Sequence, residues 1–382
     1  MITNDIKYIG VNDHEIDLFE GQYSVPCGMA YNSYILIDEK IAVMDSVDIR
    51  FADLWIENIK TASCSRSPDY LVIHHMEPDH SSSIMKFVLA FPDARLVASA
   101  KAFNMMQGFF GNDFSDRRII VGEGDELDLG RHKLTFVDAP MVHWPEVIMS
   151  YDSLDKALFS ADGFGKFGAL DCNDDWVSEA RRYYFCIVGK YGAQVQALLK
   201  KLGGLDVRFI CPLHGPVLKE NLDYYIGLYD TWSRFLPESE GVCIAYTSVY
   251  GNTRAAVNLL VCELQSRGVR LVAHDLARCD VHRVVEDAFR YDKLVLATTT
   301  YNGDIFPFMK KFIDHLTERN YQNRAVAFVE NGSWAPIATK IMKNMLTKSK
   351  DLTFVETEVS IKSALNDKSR EQIKALAEKL AK

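Results

Sequence analysis

Residues 71–80 read Leu71-Val72-Ile73-His74-His75-Met76-Glu77-Pro78-Asp79-His80 and form the densest set of potential metal ligands in the chain. The apolar run before His74 predicts a buried strand, so the polar residues follow at the carboxyl edge of a sheet. Side chains two residues apart in an extended segment lie on one side, and Pro78 turns the chain for the next pair. The resulting H-x-E-x-D-H pattern predicts ligands for two metals, and its members are His75, Glu77, Asp79 and His80.

Two metals need more ligands than this motif supplies. Three further candidates each follow an apolar stretch and precede a Gly or Pro turn, namely His143, Asp162 and His214. Asp162 has two carboxylate oxygens and is expected to bridge the metal pair. The set has no thiolate and is rich in carboxylate oxygen, so it favours iron or manganese over structural zinc. We expect His74 to point away from the metals, because neighbours in a strand face opposite sides.

The chain after residue 238 has a different and more regular pattern. Five apolar runs alternate with helical patterns, at 242–247, 270–275, 294–299, 325–330 and 353–359. This alternation predicts a doubly wound parallel sheet, whereas the hairpins and βα units of the first half predict a layered α/β domain. The polar segment 236–241 contains Pro237 and Gly241 and predicts the boundary between domains 1–238 and 239–382.

Three loops at the ends of these later strands predict a flavin site. The first precedes a helix N-terminus, which binds anions, and comprises Thr247, Ser248, Val249, Tyr250, Gly251, Asn252 and Thr253. It lacks the Lys of a nucleoside triphosphate loop, so a monophosphate such as that of FMN fits better. The other loops comprise Thr300, Tyr301, Asn302 and Gly303, and Asn331, Gly332, Ser333 and Trp334. Trp334 is predicted to stack on the isoalloxazine, with Asn302 and Gly303 at the ring edge.

The composition limits the classes of partner. The chain has 382 residues and a net charge of −9 without a basic patch, which argues against nucleic-acid binding. It has no apolar run of membrane-spanning length, and its N-terminus does not resemble a signal peptide, so a cytoplasmic protein without a membrane partner is expected. The eight cysteines are spread singly with no C-x-x-C, which predicts reduced thiols and no rubredoxin-type iron site.

A glycine-rich string beside Asp162 requires a separate interpretation. Residues 163–168 match the dinucleotide pattern G-x-G-x-x-G. The residues after Gly168 are a poor helix start, and no acidic residue follows at the distance that a ribose contact requires. We therefore interpret the string as a flexible turn beside a metal ligand.

The H-x-E-x-D-H motif resembles the H-x-H-x-D-H motif of the metallo-β-lactamase superfamily, with Glu77 at the second histidine position. With His143, Asp162, His214 and the flavodoxin-like second half, the chain is similar to the flavodiiron proteins over essentially its whole length. The resemblance implies a metallo-β-lactamase-like αββα sandwich followed by a flavodoxin-like five-stranded parallel sheet. It also implies two iron ions bridged by Asp162. By this resemblance His75, Glu77 and His143 would hold the iron nearer the flavin, and Asp79, His80 and His214 would hold the other.

The resemblance further implies an oxidoreductase in which FMN passes electrons to a non-haem di-iron centre. The reaction implied is reduction of dioxygen to water, of nitric oxide to nitrous oxide, or of both, which protects an anaerobe from oxygen or nitrosative stress. Tyr31 and Tyr184 are candidate catalytic residues beside the metals. The implied assembly is a head-to-tail homodimer or a dimer of dimers. Rubredoxin is the expected electron donor, and reduced deazaflavin is the alternative.

Two other functions are consistent with parts of the sequence. A dizinc hydrolase of the metallo-β-lactamase superfamily with an appended flavodoxin-like domain is the main alternative, and Glu77 in the second ligand position argues against it. A pure electron-transfer flavoprotein with a relic first domain is disfavoured by the complete ligand set. The motifs leave the choice between dioxygen and nitric oxide open.

Overall fold

The structure is a computed structural model that describes residues 2–382. The chain separates into two compact units, Met1–Asp230 and Thr231–Lys382. Among the described residues, no helix is long and apolar enough to cross a membrane.

The first unit is built from many short strands. In chain order these are β1 (Ile6–Tyr8), β2 (Val11–Asp13), β3 (Leu18–Phe19), β4 (Tyr23–Ser24), β5 (Met29–Tyr31), β6 (Tyr34–Ile37), β7 (Ile41–Met44), β8 (Tyr70–Val72), β9 (Arg95–Ala98), β10 (Arg118–Ile120), β11 (Glu126–Asp128), β12 (Lys133–Asp138), β13 (Ile148–Asp152), β14 (Ala157–Phe159) and β15 (Phe209–Cys211). Its helices are α1 (Ala52–Ala62), α2 (Pro78–Ser81), α3 (Ile84–Ala90), α4 (Ala100–Phe110), α5 (Trp176–Tyr183), α6 (Gly192–Leu202) and α7 (Leu222–Ser233), with 3-10 turns at Ile49–Phe51 and Gly189–Tyr191.

Two sheets form the centre of this unit. One has six strands in the order β1-β6-β7-β8-β9-β10, and the other has five in the order β11-β12-β13-β14-β15. Leu36 and Met44 of the first sheet share a buried cluster with Phe136 and Phe159 of the second. The opposite face of the first sheet packs against Trp55 of α1 and neighbouring apolar residues of α3 and α4. The predicted metallo-β-lactamase-like sandwich is confirmed.

Strand β6 illustrates why the sequence forms these layers. Tyr34 and Leu36 belong to the cluster between the sheets, whereas Ile35 belongs to the cluster beneath the helices. Because successive side chains of a strand face opposite sides, a strand buried on both faces reads as a continuous apolar run. The run 70–73 before the metal motif has the same property, which positions the motif at a well-packed sheet edge.

The second unit is a doubly wound α/β domain. Its strands are β16 (Ser239–Tyr246), β17 (Leu271–Asp275), β18 (Tyr291–Tyr301), β19 (Asp304–Ile305), β20 (Arg324–Asn331), β21 (Leu352–Phe354) and β22 (Val359–Ile361). Its helices are α8 (Asn252–Gln265), α9 (Val281–Arg290), α10 (Pro307–Glu318), α11 (Ala338–Met345) and α12 (Asp367–Leu380), with a 3-10 turn at Leu346–Lys348. The parallel strands run in the order β17-β16-β18-β20-β21, and the predicted flavodoxin-like sheet is confirmed.

The last strand of this sheet differs from the prediction. A single strand was expected at 353–359, but β21 and β22 are separate and both pair in parallel with β20. Glu358, between them, forms an ion pair with Lys343 of α11. The apolar pattern of 353–359 does not report where an edge strand is interrupted.

The sequence pattern of residues 176–202 predicts one long helix, but the structure interrupts it. α5 ends at Tyr183, a π-helical segment follows at Tyr184–Val188, and α6 begins at Gly192. Aromatic and β-branched residues followed by Gly189 have low helix propensity, which favours a break here. Such π-helical segments occur frequently at functional sites.

The cysteines include one pair, contrary to the expectation of eight reduced thiols. Cys27 and Cys172 form a disulfide across a sequence separation of 145 residues. The remaining cysteines are free. The pairing of two distant cysteines depends on the tertiary fold and leaves no spacing signal in the sequence.

Candidate metal centre and flavin site

The first group of predicted ligands meets where β8 ends. Nε2 of His75 lies 3.2 Å from Oε2 of Glu77. Nε2 of His143 lies 3.1 Å from the same oxygen and 3.0 Å from Oδ2 of Asp162. One ligand atom from each of these four residues lies within 4.8 Å of the others, which is a spacing that a single metal ion fits.

The second group lies on the other side of Asp162. Nε2 of His80 and of His214 each lie 3.3 Å from Oδ2 of Asp79. Asp162 turns its second oxygen, Oδ1, toward these rings, at 3.5 Å from His80 and 3.8 Å from His214. The structure therefore brings all seven predicted ligands together as two groups that share one carboxylate.

Buried oxygen atoms test whether this site fits two cations. Both carboxylate oxygens of Asp79 and Oδ1 of Asp162 are buried and have no hydrogen-bond partner. Buried polar atoms are nearly always paired, and unpaired carboxylate oxygens are especially costly. A metal ion in each group would satisfy these atoms, so the residues fit the implied pair.

Two of the imidazoles are oriented by hydrogen bonds at Nδ1, the ring nitrogen that is not presented to a metal. Nδ1 of His75 lies 2.8 Å from Oε1 of Glu146, and Nδ1 of His214 lies 2.7 Å from the carbonyl oxygen of Ala30. Such contacts fix the tautomer that presents Nε2 to a metal. His74 faces elsewhere, with Nδ1 bonded to Asp45 and Nε2 bonded to Ser150.

The electrostatics of the first group are those of a cation site. Burial alone would lower the pKa of His143, but hydrogen bonds to Asp162 and Glu77 raise it to about 9. Burial opposes ionisation of Asp162, yet the surrounding histidines hold its pKa well below the usual range. Without metal the carboxylates attract protons to the imidazoles, and a metal ion replaces those protons on binding.

The two predicted catalytic tyrosines have different surroundings. The ring of Tyr31 lies 6.0 Å from that of His214 and 6.4 Å from that of His80. Tyr184 packs against Tyr229 with ring centroids 5.2 Å apart. Its neighbour Tyr183 was not predicted, and its ring lies 5.5 Å from that of His214. Burial, with the charge of Asp162, raises the pKa of Tyr183 far above the usual range, so its hydroxyl keeps its proton.

A carboxylate at the β3–β4 turn also belongs to these surroundings and was not predicted from the sequence. Glu20 accepts a hydrogen bond of 3.3 Å from Gln22. Burial, with the negative charge of Glu77 next to it, raises the pKa of Glu20 to about 7. Nothing in the motif spacing links residue 20 to residue 77, because the contact arises only when the hairpin folds over the sheet edge.

The three predicted flavin loops surround one cavity of about 530 Å³ in the second unit. This volume is typical of small-molecule sites. Thirteen of the predicted residues line it: Ser248, Val249, Tyr250, Asn252, Thr253, Thr300, Tyr301, Asn302, Gly303, Asn331, Gly332, Ser333 and Trp334. Four lining residues were not predicted, namely Thr299, Ala335, Ile337 and Ser363.

Two predicted residues, Thr247 and Gly251, lie beside the lining. Oγ1 of Thr247 is buried against Oγ1 of Thr298 at 2.6 Å. The Gly251 N–H donates to Oγ of Ser248 at 3.1 Å, at the start of α8. The helix N-terminus supplies backbone donors for a phosphate, and a positive φ of 91° at Gly251 sets the turn that exposes them.

The aromatic residues of this cavity are unusually exposed. Trp334 is 89% and Tyr250 is 93% exposed, although large apolar side chains are normally covered. Both belong to loops that line the cavity. The combination of backbone donors at one end and uncovered aromatic faces fits a phosphorylated planar ring such as FMN.

Two family profiles match the chain, one in each half. The profile of the ODP family beta lactamase matches residues 29–215, and a flavodoxin domain profile matches residues 243–378. The first match spans the metal groups, and the second spans the cavity.

Two relatives align with nearly the whole chain. An uncharacterised protein of Methanocaldococcus jannaschii is 29% identical, over 90% of this chain and 88% of its own length. The anaerobic nitric oxide reductase flavorubredoxin of Salmonella arizonae is 28% identical, over 95% of this chain and 77% of its own.

Solved structures share the fold. The rubredoxin oxygen:oxidoreductase of Desulfovibrio gigas superimposes with a TM-score of 0.91 at 24% identity, covering 100% of this chain and 97% of its own. The flavodiiron protein of Giardia intestinalis gives 0.92 at 24% identity, covering 99% and 95%.

A two-metal β-lactamase-like domain joined to a flavodoxin domain defines a class of flavin-dependent oxidoreductases. The cofactors of this class are FMN and a non-haem di-iron centre, and the residues described above fit both. The chain belongs to the flavodiiron protein family.

Proposed function

We propose that this protein takes electrons from a rubredoxin-type donor and reduces dioxygen to water, nitric oxide to nitrous oxide, or both. The observation that carries the proposal is the pair of ligand groups sharing Asp162, whose two oxygens face His143 at 3.0 Å and His80 at 3.5 Å. The names of similar proteins support the choice of gases and donor, since they include a nitric oxide reductase and a rubredoxin oxygen:oxidoreductase. Protection against oxygen or nitrosative stress is the corresponding physiological role.

When bound, FMN supplies electron transfer and a di-iron pair binds and reduces the small oxidant. The chain itself holds and orients these groups. His75, Glu77 and His143 are proposed to hold one iron, and Asp79, His80 and His214 the other. Glu146 and the Ala30 carbonyl keep His75 and His214 aligned. The three loops of the second unit would hold the flavin, and Trp334 would offer an aromatic face for its ring.

The product oxygen atoms need protons as well as electrons. Tyr183 lies beside His214 with a protonated hydroxyl and is a candidate for orienting the bound oxidant, alongside the predicted Tyr31. Glu20, next to Glu77, is a carboxyl outside the seven ligands and is a candidate route for protons from solvent.

The test is anaerobic reduction of the iron-loaded, FMN-loaded protein, followed by stopped-flow mixing with each gas separately. We expect each gas to reoxidise the flavin and the iron on the time scale of stopped-flow mixing. Dioxygen should give water without accumulated peroxide, and nitric oxide should give nitrous oxide. The variant His80→Asn should lose this reoxidation while keeping FMN. A reoxidation rate equal to that of free FMN would contradict the proposal.

The hydrolase alternative makes a different prediction about metal content. Glu77 and the thiolate-free ligand set favour iron over zinc. Two zinc ions per chain, with hydrolysis of a β-lactam or thioester, would replace the proposed function. The head-to-tail homodimer stays a prediction, and sedimentation of the active protein tests it.

A further inference from the structure

The disulfide between Cys27 and Cys172 joins two segments of the first unit. Cys27 lies just before β5, and Cys172 lies in the loop 160–175 that connects β14 to α5. Both residues are half-buried. Disulfides are rare in reducing compartments, and those that occur there are usually transient and redox-sensing.

Each joined segment contains or contacts a proposed metal ligand. The loop 160–175 carries Asp162 near its start. β5 carries Ala30, whose carbonyl oxygen lies 2.7 Å from Nδ1 of His214. A bond between Cys27 and Cys172 therefore links the segment of the shared carboxylate to the segment that orients a histidine of the second group.

The two segments are already held together by their backbones. The Ala169 N–H donates to the Cys27 carbonyl oxygen at 3.0 Å. Met29 and Gly168 form an isolated parallel bridge. These contacts do not depend on the sulfur–sulfur bond, so the two thiols stay adjacent when the bond is reduced. That proximity allows the bond to re-form after reduction.

A buried ion pair lies against the two sulfurs. Asp174 offers a carboxylate oxygen within 4.8 Å of both Cys27 and Cys172, which on spacing alone resembles a metal group. However, Nζ of Lys166, which is only 4% exposed, lies 2.7 Å from each carboxylate oxygen of Asp174. An ammonium bonded to both oxygens leaves no free carboxylate for a cation, and it offsets the negative charge that would disfavour a thiolate. The cluster therefore suits thiol chemistry better than metal binding.

We propose that Cys27 and Cys172 are a redox-responsive pair that tightens the loop of Asp162 against β5 when oxidised. The oxidant class is a peroxide. One thiolate attacks a peroxide oxygen to give a sulfenic acid and hydroxide, and the second thiol then displaces the sulfenic oxygen as water. The two thiols lose two electrons and two protons, and hydrogen peroxide becomes two waters. A dithiol reverses the step by thiol–disulfide exchange.

The first test follows the two thiols in the holoprotein. The protein is reduced with dithiothreitol, desalted, treated with hydrogen peroxide and labelled with iodoacetamide at each stage, with peptide mapping of Cys27 and Cys172. We expect both to be labelled after reduction, protected after peroxide and labelled again after a second reduction. Cys64→Ser is the matched control, because Cys64 is an exposed free cysteine of the same unit.

The second test asks whether the bond stiffens the metal centre. A chelator should remove iron about tenfold faster from the reduced protein and from Cys172→Ser than from the oxidised protein, which is the scale of outer contacts on metal sites. The melting temperature should fall by roughly 5–10 °C, because the bond closes a long loop. If Cys172→Ser does not fold, the dithiothreitol-reduced native protein gives the same comparison.

Four outcomes overturn the proposal. In the first, both cysteines are still labelled after peroxide treatment. In the second, dithiothreitol does not reduce the bond in the folded protein, so the disulfide is permanent. Alternatively, the bond forms and breaks but neither the rate of iron release nor the melting temperature changes. Finally, zinc added to the reduced protein binds stoichiometrically and protects both thiols, which would identify a metal site instead.

Discussion

Glu146 lies directly behind His75: its Oε1 is 2.8 Å from Nδ1 of the imidazole and accepts a hydrogen bond of 2.9 Å from the Met76 N–H. The other carboxylate oxygen of Glu146 is buried without a partner. One carboxylate therefore fixes both the ring and the backbone of the motif that supplies the first metal group. A negative charge in that position also makes Nε2 a stronger metal ligand.

Replacing Glu146 with glutamine should weaken metal binding without unfolding the protein. The amide oxygen can still accept one hydrogen bond, but the charge that raises the basicity of His75 is lost. We expect the metal dissociation constant to rise about tenfold. Competition with a chelator measures it, and circular dichroism checks the fold. The exposed Glu126→Gln is the control, and an unchanged affinity in Glu146→Gln would show that backbone packing alone aligns His75.

Replacing Asp162 with asparagine tests the shared carboxylate. An amide offers one neutral oxygen and a nitrogen that cannot ligate, so it cannot bridge two cations. We expect the metal content per chain to fall by half or more, while FMN binding in the second unit is unchanged. Atomic absorption and flavin absorbance measure the two quantities. Asp171→Asn, an exposed change in the same loop, is the control. A full metal complement in Asp162→Asn would contradict a bridging role.

The sequence predicted the chemistry of the centre better than its surroundings. His75, Glu77, Asp79 and His80 are adjacent in the chain, and strand geometry turns that adjacency into a site at a sheet edge. Glu146 and Tyr183 contact the proposed ligands His75 and His214 only because distant segments pack together. Such residues carry no spacing that distinguishes them from other buried polar residues.

Two features of the fold also differ from the prediction: the interrupted helix after Tyr183 and the disulfide. The pairing of Cys27 with Cys172 depends on contacts between segments far apart in the chain. The interruption after Tyr183 follows local helix propensities, which apolar periodicity does not weigh. Apolar periodicity reports which face of an element is buried, but it does not report what the element touches. The meeting of the three loops at one cavity was predictable because parallel strands deliver their carboxyl ends to one edge, which is a rule of topology.

The substitution Trp334→Ala should weaken FMN binding without destabilising the fold. The side chain is 89% exposed and lines the cavity, so its removal costs little folding energy but removes a stacking face. We expect the dissociation constant for FMN to rise about tenfold. Quenching of FMN fluorescence during titration of the apoprotein measures it. Phe308→Ala is the control, since Phe308 is 48% exposed and is not among the cavity-lining residues. Equal affinities in the two variants would place the ring elsewhere in the cavity.

His132 links stability of the first unit to pH at a distance from the metal motif. Its Nδ1 lies 3.0 Å from Oδ2 of Asp152, and its Nε2 lies 3.2 Å from Oδ2 of Asp5. Burial would lower the pKa of His132, but these carboxylates raise it to about 9 from an unfolded value near 6.5. The imidazolium form is therefore the one that the fold stabilises.

The folded and unfolded pKa values of His132 decide the pH range in which it stabilises the fold. Because the folded pKa is the higher one, the stabilisation is fully present below pH ~6.5 and is lost as the pH rises through about 9. We expect the contribution to be about 1–2 kcal/mol, since solvent screens part of it. Melting temperatures between pH 6 and pH 10 should decline in the native protein, and His132→Gln should be less stable at pH 6 and flatter above it. His14→Gln, which removes an exposed pair with Asp171, should follow the native curve. Parallel declines in the native protein and His132→Gln would assign the pH dependence to other groups.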